Sequence, residues 1–142
     1  RAVATTCIAQ VGTCAGALAL TSRYVSEREQ FNAKLATFQA VSQRAADAYI
    51  DTELVRLTAW HALWRLATQR DATEQLSVAK HFTAEAAQRV VFAAQHLHGG
   101  IGVDLDYPIH RYFLAAKQTE FALGGATGQL LAIGRDLAET PA

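Results

Sequence analysis

The chain has 142 residues, 51% of them hydrophobic, and carries 13 Lys and Arg against 13 Asp and Glu. That length suits one domain, residues 1–142, with a buried core, and the charge balance lacks the field of a nucleic-acid or anionic-membrane binder, so no nucleic-acid partner is expected. Abundant alanine, only two prolines (Pro108 and Pro141) and no strand-like alternation or repeat predict an all-α fold. No methionine occurs, even at position 1, which reads as a piece of a longer polypeptide.

The first element is a charge-free run from Ala2 to Ser22 containing Gly12 and Gly16 in a GxxxG spacing. Its threonines and Gln10 dilute the apolarity and no aromatic belt flanks it, so the run reads as a helix buried on most sides of a bundle rather than a membrane span. Cys7 and Cys14 lie two turns apart on it, about 10.5 Å, beyond disulfide reach. Two buried free thiols fit a reducing, cytoplasmic setting.

The second element carries the clearest periodicity: Phe38, Val41, Ala45, Ala48, Thr52, Val55, Ala59, Ala62 and Leu66 advance by threes and fours. The stripe predicts a helix over about 36–68, some 50 Å long, and with it an antiparallel bundle. Trp60 and Trp64, one turn apart beside it, read as interface or edge packing. A polar joint at 69–73 precedes a third helix over about 73–98, with Leu76, Ala79, Phe82, Ala86, Val90, Ala94 and Leu97 inward.

That helix ends in His98-Gly99-Gly100-Ile101-Gly102, three glycines in five positions. A double glycine closes a helix and lets backbone approach a flat or phosphate-bearing group. His96 and His98 point about 200° apart on a helix, so with His81 they form no chelating face and no metal site is expected. Tyr107-Pro108 starts a fourth helix to about Phe121, Gly124-Gly125 breaks it, and a short fifth helix over about 127–137 leads into a polar tail. The expected architecture is an antiparallel four-helix bundle with an extra short C-terminal helix.

Three segments in register, Arg28-Glu29-Gln30-Phe31, Phe38-Gln39, and the His98–Gly102 glycine run with Tyr107-Pro108, resemble the C-terminal helical domain of the acyl-CoA dehydrogenases over essentially the whole chain. The resemblance implies that an N-terminal helical domain and a middle β domain belong to the complete flavoprotein. It also implies that FAD is shared between subunits of a homo- or hetero-oligomer acting on an acyl-CoA. By that resemblance Arg28 contacts the FAD pyrophosphate, a role its fork of donors suits. Gln30, Phe31, Phe38 and Gln39 line the flavin, and His96, Gly99 and Gly100 bring backbone to the adenosine-pyrophosphate end. Two positions depart from the pattern: Asn32 stands where glycine is usual, and His96 where glutamine is.

The family's chemistry, α,β-dehydrogenation of an acyl-CoA thioester, needs a glutamate to remove the α proton. Its two usual places correspond to Leu123 and Ala2 here, and neither side chain takes a proton; Glu120, three residues before Leu123, is the nearest acid. The resemblance therefore implies a base-lacking subunit or half that supplies flavin contacts, a relative with other flavin chemistry such as a monooxygenase, or a base from outside the chain. A non-catalytic helical assembly domain is the alternative outside flavin chemistry.

Overall fold

In the computed structural model, which describes residues 1–139, five helices carry nearly all of the chain. Helix α1 spans Ala2–Glu27, α2 Gln39–Ala67, α3 Thr73–His98, α4 Ile109–Phe121 and α5 Ala126–Glu139. Short connections force α1, α2 and α3 up, down and up, and α4 returns antiparallel to α3. The fifth helix lies against α3 and buries no residue completely. The fold is thus the all-α bundle with an added short helix that the periodicity predicts; the expected polar tail, from residue 140 on with Pro141, lies outside the described residues.

The core is made of small side chains, so the helices approach closely. Cys14, Val55, Ala86, Ala87 and Val90 fill its middle, Cys7, Ala59, Ala62 and Ala79 one end, and Ala17, Val91, Ala94, Ile109 and Ala116 the layer under α4. Burial pushes the Cys14 thiol up to about 12, helped by the charge of Asp51, so it packs as a small apolar group. On α1 the approach is tightest at Gly16, where an added Cβ would stand 2.5 Å from Tyr112 Cε1 of α4. Replacing Gly16 with alanine is expected to lift α4 off α1 at a cost of about 1–3 kcal/mol, read as a lower unfolding midpoint of the full-length protein; an unchanged midpoint would contradict this packing.

Three expectations need correction. Helix α1 is not buried on most sides: only the stripe Ala4, Cys7, Gln10, Cys14, Ala17, Thr21 and Val25 is buried, and Thr5, Ala9 and Gly12 on the opposite face are exposed. Its length of 26 residues and an 18-residue stretch of mean hydropathy 1.6 would permit a membrane crossing, but the buried stripe is spaced for packing on α2, α3 and α4. Second, α3 has two buried faces rather than one. Lys80, Thr83, Ala84, Ala87, Val91 and His98 are buried beside the predicted stripe because α4 and α5 cover that flank. Third, the chain is not strand-free. Glu29–Gln30 (β1) and Ala33–Lys34 (β2) pair antiparallel, Glu29 opposite Lys34 and Gln30 opposite Ala33, and a single 3-10 turn over Leu35–Thr37 leads into α2.

Candidate functional site

The hairpin sits at the C-terminal end of α1. Arg28 ends the helix with extended backbone (φ −71°, ψ 129°), its amide donating to Tyr24 O at 2.8 Å. Three residues later Phe31 (φ 54°) and Asn32 (φ 59°) turn the chain, the paired positive φ values of a two-residue hairpin. Asparagine accepts that conformation readily, which explains its tolerance where glycine is usual. Phenylalanine does not, yet Phe31 is 91% exposed, with only the edge of Phe38 nearby at 6.4 Å between ring centroids. A strained, exposed aromatic at a hairpin tip is a feature of contact surfaces.

The glycine run faces this hairpin across the bundle end. Gly99 adopts φ 63°, ψ −140°, a conformation open essentially to glycine, and its amide caps α3 through His96 O. Gly102 is needed for a different reason: a Cβ there would meet Gln95 O at 2.7 Å. Gly100 has neither reason. Its φ is ordinary and an added Cβ would meet nothing within 4 Å.

Between hairpin and glycine run lies an open groove of about 550 Å³. Arg28, Gln30, His96, Gly99 and Gly100 of the predicted cofactor residues line it together. Phe31, Phe38 and Gln39 do not. Phe31 and Phe38 stand beside it at the hairpin tip and the start of α2, and Gln39 is exposed on the first turn of α2. His98 and Ile101 of the glycine run also line the groove, with Val41 and Leu97 of the helical stripes; Tyr24 and Leu35 belong to no motif or stripe, although Tyr24 lies one turn before Arg28. A second groove of about 480 Å³, walled by Phe92, Gln95, Val103 and Phe113, shares His96 and Gly99 with the first, so the glycine turn forms a ridge between them.

His96 and His98 divide as their spacing predicts. His96 is exposed on the ridge, while His98 is buried, its Nδ1 donating to Ala94 O at 2.7 Å and its ring stacked on Tyr24 at 4.4 Å. The Tyr24 hydroxyl in turn donates to His98 O at 3.4 Å. This stack fastens the glycine turn to α1 directly above Arg28. Burial lowers the His98 pKa below its usual 6.5, the bond to Ala94 opposing only in part. The unfolded chain binds a proton that the folded chain refuses, so this stability is complete above about pH 6.5 and is lost as the pH falls through the lower folded value. His98→Phe, which keeps a ring on Tyr24, is expected to flatten the fall of the unfolding midpoint below about pH 6.5; an identical slope in both proteins would assign the pH dependence elsewhere.

Ala2 and Leu123, where the resemblance leads one to expect the family's base, lie apart from this groove's lining. Ala2 is exposed at the start of α1, and Leu123 follows α4 with φ 60° and is half exposed. Glu120 is occupied in an ion pair with Lys117 at 2.6 Å.

Comparisons with known proteins bear on the family and the fold. The sequence profile described as "Acyl-CoA dehydrogenase, C-terminal domain" matches residues 3–138. The chain is 52% identical over 141 residues to Acyl-CoA dehydrogenase FadE27 of Mycobacterium tuberculosis, covering 94% of this chain and 38% of that protein. It superposes on a chain of the ChsE4-ChsE5 complex from Mycobacterium tuberculosis with a TM-score of 0.95 and 52% identity, covering 99% of this chain and 38% of that one. For a variant of the Tcur3481-Tcur3483 steroid ACAD the TM-score is 0.93 and the identity 45%, with 97% and 38% covered. The chain thus spans a little over a third of the length of these relatives. With the family's C-terminal-domain profile matched over residues 3–138, the chain belongs to the acyl-CoA dehydrogenase family and corresponds to its C-terminal domain.

Proposed function

We propose that this chain is the FAD-contacting domain of a flavoprotein that dehydrogenates an acyl-CoA thioester at its α,β bond. The observation that carries this reading is Gly100: nothing in the chain's own backbone or packing requires glycine there, while an added Cβ would project into open space at the groove. Gly12, Gly128 and Gly134 are equally unconstrained, but Gly100 alone of these four lines the groove, where a missing side chain leaves room for close approach by a ligand. The exposed Arg28 guanidinium on the opposite wall forms no ion pair with a carboxylate among the described residues. It is placed to meet an anionic group in a bidentate manner.

The donor chemistry of these residues fits FAD. Arg28 holds the pyrophosphate, Gln30 supplies amide hydrogen bonds, Phe31 offers an aromatic face, and the 99–100 backbone allows contact without side-chain interference. Bound flavin supplies a hydride acceptor. The chain's part is binding and orientation: the His98–Tyr24 stack keeps the glycine turn in register with Arg28. Leu123 and Ala2 cannot take the α proton, so the base belongs to a partner subunit or to another part of the polypeptide. The exposed Phe31 fits a flavin shared across a homo- or hetero-oligomer.

A bulky acyl group such as a steroid side chain is the substrate class favoured by likeness to the steroid ACAD, and the two buried free cysteines suit the cytoplasm. The assembly-only reading draws support from the exposed Tyr49, Ile50, Leu57, Trp60 and Trp64 along α2. Purifying the full-length protein with its partner separates the two. Bound flavin and reduction of that flavin by an acyl-CoA are expected, whereas a folded complex that never holds flavin would leave assembly as the function.

A further inference from the structure

Lys80 is completely buried in α3, among the largest side chains with no exposed surface. Its Nζ donates to Thr119 O and to Glu120 O, both at 3.2 Å, at the C-terminal end of α4. Carbonyls in the last turn of a helix have lost their amide partners and carry the negative end of the helix dipole. Here the chain leaves the helical path at Ala122 (ψ 130°), which turns the next amides away, and it then passes through two positive-φ residues, Leu123 (60°) and Gly124 (94°). Ala122 N still donates to Gln118 O, but the following two carbonyls receive the lysine instead.

We propose that Lys80 is the positioning residue of the 122–125 turn, its buried amine taking the place of the two amides that would otherwise continue α4 and thereby fixing where residue 123 stands. Burial disfavours the charged form of this amine, so an apolar residue would pack here at lower cost; the carbonyls supply the reason for a lysine. The glutamate of Glu120, close enough to favour the charge, is itself held by Lys117. The turn is therefore set from three sides: Lys80 beneath the helix end, Lys117 on Glu120, and Gln129 Nε2 donating to Leu123 O at 3.4 Å. The meaning of this for catalysis rests on the proposed function, in which residue 123 occupies the place of the family's base; the positioning itself does not.

Hydrogen exchange on the full-length protein tests it. Lys80→Met fills the same volume without donors and is expected to speed exchange of the amides in the last turn of α4, up to Ala122 N on Gln118 O, about tenfold or more, with α2 amides changed less than about twofold. Gly124→Ala forces an L side chain into φ 94° and is expected to speed the same amides by itself, but to add little on top of Lys80→Met, because the turn it strains is already released. A lysine that only fills space predicts independent, additive effects, and either additivity or unchanged protection in Lys80→Met overturns the proposal. Should the Met variant not assemble, Lys80→Gln, a shorter donor, is expected to show the same local increase to a smaller degree, and full protection there overturns it. Flavin content measured on the same samples stays separate: a flavin-free protein with the predicted exchange pattern fails the functional reading alone.

Discussion

Replacing Arg28 with glutamate is expected to weaken flavin retention in the full-length protein by on the order of a hundredfold, about 3 kcal/mol, through loss of charge-assisted hydrogen bonds and introduction of a repelling carboxylate. The fold should not register the change. Arg28 is exposed and its backbone, not its side chain, ends α1 through the bond to Tyr24 O, so the unfolding midpoint should move by no more than about 0.5 kcal/mol equivalent. Equilibrium dialysis or flavin fluorescence on the refolded apoprotein gives the affinity. Undiminished flavin binding in this variant would remove Arg28 from the site.

Gly100→Val separates ligand from fold more sharply still. Most glycine substitutions confuse the two, as Gly99 (φ 63°) and Gly102 (2.7 Å from Gln95 O) would do here, because both are needed by the turn itself. At Gly100 the backbone is ordinary and the space beyond it empty of protein atoms within 4 Å. A valine there should fold within about 0.5 kcal/mol of the parent while its methyl groups occupy the groove between Arg28 and the turn. Flavin affinity should fall about tenfold or more, since a closely packed contact cannot admit several extra heavy atoms. If Gly100→Val binds flavin normally, the double glycine is a helix cap and nothing more.

The contrast between these glycines shows what the sequence makes legible. The helices are readable because their cores repeat locally: the stripe from Ala48 to Ala62 lies buried as the spacing requires, and α3 has the predicted bounds. The hairpin is not, because two residues per strand are too few to show alternation and Phe31-Asn32 lacks the glycine that marks a two-residue turn. Nor is the second buried face of α3. Lys80, Thr83 and His98 are residue types that belong on surfaces, and what buries them comes from helices tens of residues away.

The site divides along the same line. Arg28, Gln30, His96, Gly99 and Gly100 meet in one groove as expected, yet its apolar walls, Leu35, Val41 and Leu97, belong to elements whose mutual placement no motif announces. Helix α1 shows the limit from the other direction: charge-free from Ala2 to Ser22, it still leaves Thr5, Ala9 and Gly12 uncovered. Composition reports that a face is small and uncharged, and only packing decides whether anything covers it.

The groove between the Glu29–Lys34 hairpin and the glycine turn is proposed to hold flavin. The most direct measurement is the flavin content of the purified full-length complex, by visible absorbance before and after denaturation, for the parent, Arg28→Glu and Gly100→Val proteins side by side. Stoichiometric flavin is expected in the parent and its loss in both variants, with all three equally folded by circular dichroism. A folded parent without flavin, or folded variants that keep it, would contradict the account.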